Sequence, residues 1–190
     1  MVDITALAEM SYRPIGDPSL DHVAGTEPYR RFLYHLVREM RPQAAVELGV
    51  WKGEGSALMA AGHRDALVIG VDSAGLIDDS PARRFENFRF LFCDTLGAAA
   101  VVGEMLGDRR IGVVFQDSSH HAEPSRLEWE YYRPLLADEF VWVCDDVTSS
   151  FQMPDEPRQV LQVHHLVTTP ITLPRCRPGN RHLRPGSASK

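Results

Sequence analysis

The stretch Val46-Glu-Leu-Gly-Val-Trp-Lys-Gly-Glu-Gly-Ser56 constrains this chain more than any other. The short apolar run Ala44–Leu48 carries an acid near its end and is followed by Gly49 and Gly53, four residues apart. Glycines so placed supply positive φ or close backbone approach. The pattern therefore describes a strand turning sharply into a helix whose first N–H groups face a bound nucleoside. A second apolar run, Ala66–Val71, ends in Asp72 about one βαβ half-turn later, where an acid suits a ribose. A nicotinamide dinucleotide loop wants G-x-G-x-x-G, and Gly49, Gly53 and Gly55 do not fall at that spacing.

The rest of the chain repeats the same unit. Thr26 reads as an N-cap with Pro28 in the first turn, and Tyr29, Phe32, Leu33, Leu36, Val37 and Met40 recur at helical spacing until Pro42. Strands are expected at Ala44–Leu48, Val68–Val71, Phe88–Phe92, Ile111–Phe115 and Phe140–Cys144, with a further β-branched stretch over Val160–Thr169. Helices are expected from Glu54 to about Ala61, over Leu96–Leu106 and over Pro124–Leu136. Strands this apolar have no wet face, and each connection is long enough for a helix. The fold class is therefore α/β: a Rossmann-like, doubly wound, mostly parallel sheet with helices on both faces. Residues 1–25 read as a loose lead-in or lid with at most one short helix, 26–173 as the domain, and 174–190 as a basic, Pro/Gly-containing tail, disordered from about Gly186.

Each expected strand leaves through an acid: Glu47, Asp72, Asp94, Asp117 and the pair Asp145-Asp146. Ligands of doubly wound sheets sit outside the carboxyl ends of the strands, so these acids are the candidate site. An Asp in a loop also serves as a helix cap, and that structural reading stands beside the functional one for each of them. A formal charge of −6 argues against a nucleic-acid partner, and no apolar run is long enough to span a bilayer. The expectation is a single-domain cytoplasmic protein acting on a small molecule, with no nucleic-acid and no membrane partner. Cys93, Cys144 and Cys176 form no C-x-x-C pattern and read as buried fillers.

On these residues the chain resembles the class I S-adenosylmethionine-dependent methyltransferases over roughly Thr26 to Val147. Glu47-Leu-Gly49-Val-Trp-Lys-Gly53 resembles their first motif, Asp72 the ribose-binding acid, and Cys93-Asp94 the loop that meets the adenine. The donor-binding set implied is Glu47, Gly49, Trp51, Gly53, Gly55, Ser56, Asp72, Ser73, Asp94 and Asp117. Trp51 either lines the methionine part of the donor or packs against the first helix. Lys52 and Glu54 read as solvated loop charges, and the helix carrying Glu128-Trp-Glu-Tyr-Tyr132 as packing over the sheet.

The second half is similar to the metal-dependent O-methyltransferases, including the catechol, caffeoyl, macrocin and rhamnosyl types, and to relatives labelled cephalosporin hydroxylase. The resemblance implies a divalent cation on Asp117, Asp145 and Asp146. An all-oxygen set suits Mg²⁺, and three crowded carboxylates would repel without a cation. It places the base at His120, with His121 as the neighbouring candidate. Two departures matter. Many relatives carry Asp-Gly-Asp-His where this chain has Asp117-Ser-Ser-His120, and Pro174, Pro178 and Pro185 are poor for the antiparallel strand pair that usually ends the fold, which is therefore expected to be incomplete. The implied function is O-methyl transfer from S-adenosylmethionine to a hydroxylated small-molecule acceptor with divalent metal assistance. The alternatives are a non-catalytic nucleoside-binding protein on the same fold and a metal-dependent hydroxylase-like relative. A homodimer is compatible with such an enzyme, although no residue marks an interface.

Overall fold

Every residue of the first strand, β1 (Ala44–Leu48), is buried, because helices cover both faces of the sheet it centres. The computed structural model describes residues 13–23, 30–74, 76–119, 121–145 and 160–161. Around β1 lie β2 (Leu67–Asp72), β3 (Phe88–Phe92), β4 (Ile111–Gln116), β5 (Leu136–Cys144) and the two-residue β6 (Val160–Leu161). The order is β3-β2-β1-β4-β5-β6, and every pairing is parallel. The helices are α1 (Pro18–Val23), α2 (Arg31–Met40), α3 (Glu54–Gly62), α4 (Thr95–Leu106) and α5 (Ala122–Tyr132).

Strand pleating divides the core in two. Ala45, Val68, Val113 and Phe115 pack with Leu33, Leu36, Val37, Ala57 and Leu58 of α2 and α3. Their alternates Val46, Ile69, Val71 and Val114 pack with Val102 and Leu106 of α4 and Trp129 and Tyr132 of α5. This is the expected doubly wound architecture, and β1 and β3 have the expected ends. The expected helix from Thr26 appears from Arg31 to Met40, and residues 24–29 lie outside the described residues. Helix α5 stops at Tyr132, earlier than the expected Leu136, and passes into a 3₁₀ turn at Arg133–Leu135. Pro134 lacks the N–H that would continue the α-helix. Strand β5 begins at Leu136, earlier than expected, through a register irregularity opposite Ile111 and Val113.

The described part of the lead-in is docked rather than loose. Leu20 and Val23 of α1 are buried, and Asp21 accepts from the Ile15 and Gly16 N–H groups while pairing with Arg31 Nε at 2.8 Å. Cys144 is a free thiol whose pKa burial pushes up to about 12, and Cys93 is buried in the core as expected but is disulfide-bonded. No helix among the described residues is long and apolar enough to cross a membrane. The tail from 174, the rest of the sixth-strand stretch and any antiparallel pair lie outside the described residues.

The order reverses between β1 and β4, and there the two strand exits approach closely. Gly49 has φ +84°, and a side chain on it would overlap the Asp117 backbone carbonyl and Ser118 Cα. Gly16 also has positive φ (+84°) but faces open space. Gly16→Ala is therefore expected to cost about 1 kcal/mol, whereas Gly49→Ala, which must move backbone, should cost at least ~3 kcal/mol by urea denaturation.

Candidate active site at the strand exits

At four of the strand exits the ladder continues by one bond beyond the strand. Gly49 N–H donates to the Val71 carbonyl (2.9 Å), Cys93 N–H to Asp72 (3.1 Å), Asp117 N–H to Leu48 (2.8 Å) and Asp145 N–H to Gln116 (2.9 Å). Parallel pairing thus fixes the backbone carrying the acids before any side chain acts. Between the exits lies a cavity of about 400 Å³ lined by Arg30, Gly49, Trp51, Asp72, Ser73, Asp94, Asp117 and neighbouring residues of the β3 and β4 exits.

Asp72 holds the glycine turn. Its Oδ2 accepts from the Val50 and Trp51 N–H groups, both at 2.8 Å, and its Oδ1 from Ala74 N–H at 2.6 Å. These bonds support Trp51 at φ 48°, an uncommon conformation for a bulky residue, with the side chain 59% exposed. The indole therefore stands at the cavity rim and does not pack into the core, which removes the second of its two readings. Asp94 is the N-cap of α4 through Leu96 and Gly97 N–H, and it also borders the cavity. The capping reading holds, and the residue also faces the cavity.

Four members of the expected donor set sit behind the turn and do not line this cavity. Gly53 makes the left-handed entry to α3, and Gly55 gives its missing side chain's space to Glu47, which accepts a hydrogen bond from Ser56 Oγ. Glu47 is fully buried. Desolvation pushes it up to about 8, opposed by the Ser56 bond, reinforced by Asp117 and opposed again by Arg30. Glu47 thus braces the loop from beneath.

The comparisons can be set on this geometry. Residues 46–147 match the family model described as a methyltransferase domain, a span that contains the glycine turn, Asp72, Asp94 and Asp117. The chain belongs to that family. Among solved structures it is similar to the O-methyltransferase TomG of Streptomyces achromogenes, solved with SAM and involved in tomaymycin synthesis. The identity is 18%, covering 76% of this chain and 66% of that one at a TM-score of 0.56. It is also similar to a methyltransferase from Geobacter sulfurreducens, with 23% identity, 76% and 78% coverage, and a TM-score of 0.51. A Staphylococcus aureus protein assigned as a caffeoyl-CoA O-methyltransferase matches at 23% identity and TM-score 0.50, covering 75% of this chain and 64% of that chain. At these identities the likeness is one of fold. No curated protein sequence matches the chain significantly.

The β4 and β5 exits of this methyltransferase domain meet a residue the sequence did not flag. Arg30, just ahead of α2, places Nη2 3.2 Å from Asp117 Oδ2 and 3.9 Å from Asp145 Oδ2, and Nη1 3.3 Å from Glu54 Oε2. Its side chain is only 14% exposed. Glu54 is thereby an ion-pair partner, a correction to its reading as a solvated charge. The oxygen ligands of Asp117 and Asp145 suit a hard cation, but a guanidinium stands between them, so with Arg30 in place these residues do not fit a divalent ion. Among the described residues no group of three His, Cys, Asp or Glu side chains is arranged to hold a metal. Asp146 and His120 lie outside the described residues, and His121 is the exposed residue preceding α5.

Glu128, expected only to pack, is a second omission. It is wholly buried and accepts from Thr95 Oγ1, Gln116 Nε2 and, at 2.7 and 2.9 Å, Ser118 Oγ. Gln116 Oε1 accepts in turn from Trp142 Nε1 at 2.8 Å. Burial raises the Glu128 carboxyl, with the Thr95, Ser118 and Gln116 bonds opposing. Thr95 and Ser118 border the cavity, so one buried acid ties its β3 and β4 walls together.

Because the folded state holds the Glu47 proton more tightly than the unfolded chain, its contribution to stability is fullest below pH ~4.5 and is lost as pH rises toward about 8. Glu47→Gln should therefore flatten the fall in stability between pH 5 and 8, by a few kcal/mol at most, in chemical denaturation at stepped pH. An unchanged slope would assign the titration elsewhere.

Proposed function

We propose that this chain transfers a methyl group from S-adenosylmethionine to an oxygen of a small hydroxylated acceptor. One observation carries the reading: within a methyltransferase domain, the cavity at the β1/β4 reversal has the glycine turn and Asp72 on one side and the Asp117 exit with Arg30 on the other. The donor half suits a nucleoside. Asp72 stands at the right strand end for a ribose, its Oδ1 accepting, among the described residues, from Ala74 N–H alone and so keeping room for a hydroxyl, and Asp94 and Thr95 border the adjoining space. TomG, of the same fold, was solved with SAM, which supports this donor.

The chemistry asked of the protein is mainly positional. An acceptor O–H gives its proton to a base, an oxygen lone pair attacks the methyl carbon, and the carbon–sulfur bond breaks to leave an ether and a neutral thioether. Holding oxygen and methyl group in line at contact distance contributes much of such a rate. His120, three residues after Asp117 in the sequence, keeps the role of base in this proposal. The metal-assisted form would set a divalent cation on Asp117, Asp145 and Asp146 to orient and acidify the acceptor, and it requires Arg30 to withdraw. The acceptor class, a catechol or a sugar on a natural product, belongs to the same proposal.

Calorimetric titration of S-adenosylhomocysteine tests the donor side. Wild type should bind, Asp72→Ala should lose at least ~100-fold in affinity, and Asp72→Asn, which still accepts from the Val50 and Trp51 N–H groups, should fall between them. Equal affinity in all three would reject the donor site. Methyl transfer to a catechol panel tests the acceptor, and donor binding without transfer to any hydroxylated acceptor would favour the non-catalytic reading.

A further inference from the structure

We propose that Arg30 is the resident cation of the β4/β5 exits, and that it and a divalent metal ion are alternatives for the same carboxylates. The inference deepens the acceptor side of the methyltransferase reading and takes from that reading only where the donor lies.

Three distances carry it. One guanidinium nitrogen approaches Asp117 at 3.2 Å and Asp145 at 3.9 Å while the other approaches Glu54 at 3.3 Å. A single planar group thus joins the β4 exit, the β5 exit and the first turn of α3. Asp117 and Asp145 side chains are 17% and 18% exposed, so their mutual repulsion is poorly screened and needs a positive partner inside the cluster. Arginine suits the place because its charge is permanent and its fork reaches several carboxylates at once, which the compact charge of lysine does not. A magnesium ion would need Asp117 and Asp145 oxygens at about 2.1 Å. Nη2, at 3.2 and 3.9 Å from those oxygens, already faces both carboxylates, so charge and volume oppose the two cations standing there together.

The location of Arg30 adds a second consequence. It stands directly ahead of α2, a helix seated on α3 and the sheet by Leu33, Leu36 and Val37, so the guanidinium is held from outside the acid cluster. Two cases follow from the same geometry. With Arg30 docked, the acceptor meets a cation fixed by the fold. With Arg30 displaced, the same acids become available to a metal.

Mn²⁺ is the probe, followed by electron paramagnetic resonance and by its effect on the thermal midpoint of the full chain. Wild type is expected to bind Mn²⁺ weakly and to show the same melting temperature in Mg²⁺ and in EDTA. Arg30→Met should melt roughly 5 °C lower in EDTA, bind Mn²⁺ at least about tenfold more tightly than wild type, and recover its melting temperature when Mg²⁺ is added. Asp117→Asn in the Arg30→Met background should abolish the gained site. Arg30→Lys, which keeps the charge, should stay closed to Mn²⁺ and serves if Arg30→Met does not fold. Mn²⁺ binding of equal strength in wild type and Arg30→Met, or no gain in any charge-removing variant that folds, overturns the proposal. Calorimetry of S-adenosylhomocysteine on the metal-free wild type reports separately on the donor reading, so the two fail independently.

Discussion

The approach of two backbones at the β1/β4 reversal is the constraint on which the site depends. Gly49 stands against the Asp117 carbonyl with no room for a Cβ, and the Asp117 N–H is bonded to Leu48. This contact brings the glycine turn to within a few ångströms of the β4 exit. A side chain at Gly49 would part them and leave two half-sites on a sheet that could otherwise still form. The reversal of strand order creates a crevice in any doubly wound fold. Here its width is set by a single missing methyl group.

Around that contact, three buried or half-buried acids do different work according to their surroundings. Asp72 spends its oxygens on backbone N–H groups and keeps Trp51 in a left-handed conformation. Glu47, sealed beneath the loop with Ser56, is pushed upward by desolvation and acts as a neutral brace at low pH. Glu128 is raised by burial as well but is met by three side-chain donors, so it behaves as the hub between Thr95, Gln116 and Ser118. The same chemical group is a turn clamp, a brace and a tie, and burial and partners decide which.

Much of this was legible in the sequence, for identifiable reasons. Strands buried on both faces read as unbroken apolar runs, so β1 and β3 were bounded correctly and the doubly wound class followed. The acids at the exits were visible because a strand end followed by Asp is a local pattern. What depended on tertiary approach was not visible. Arg30 lies far in sequence from Asp117 and Asp145 and has no motif of its own, so nothing in its neighbourhood announced an ion pair. Crowded carboxylates call for a cation, and within the motifs that carry them only a metal offers one, whereas the guanidinium comes from a segment ahead of the first strand. Glu128 was hidden by helical amphipathicity, since a Glu on a covering helix reads as solvent-facing until Ser118 and Gln116 are seen beneath it. The early start of β5 was concealed by Asp138 and Glu139, polar residues at the exposed beginning of a strand whose later half is buried.

The additional ladder bonds beyond β1, β3, β4 and β5 have an evolutionary reading. Since the main chain at each exit is secured by an N–H to its neighbour, the side chain there carries little of the burden of holding the sheet. Residues such as Asp117 and Asp145 can then be exchanged with little effect on the strand pairing. A lineage built on this scaffold is free to revise its reagents one position at a time, which is how a common architecture comes to serve unrelated acceptors.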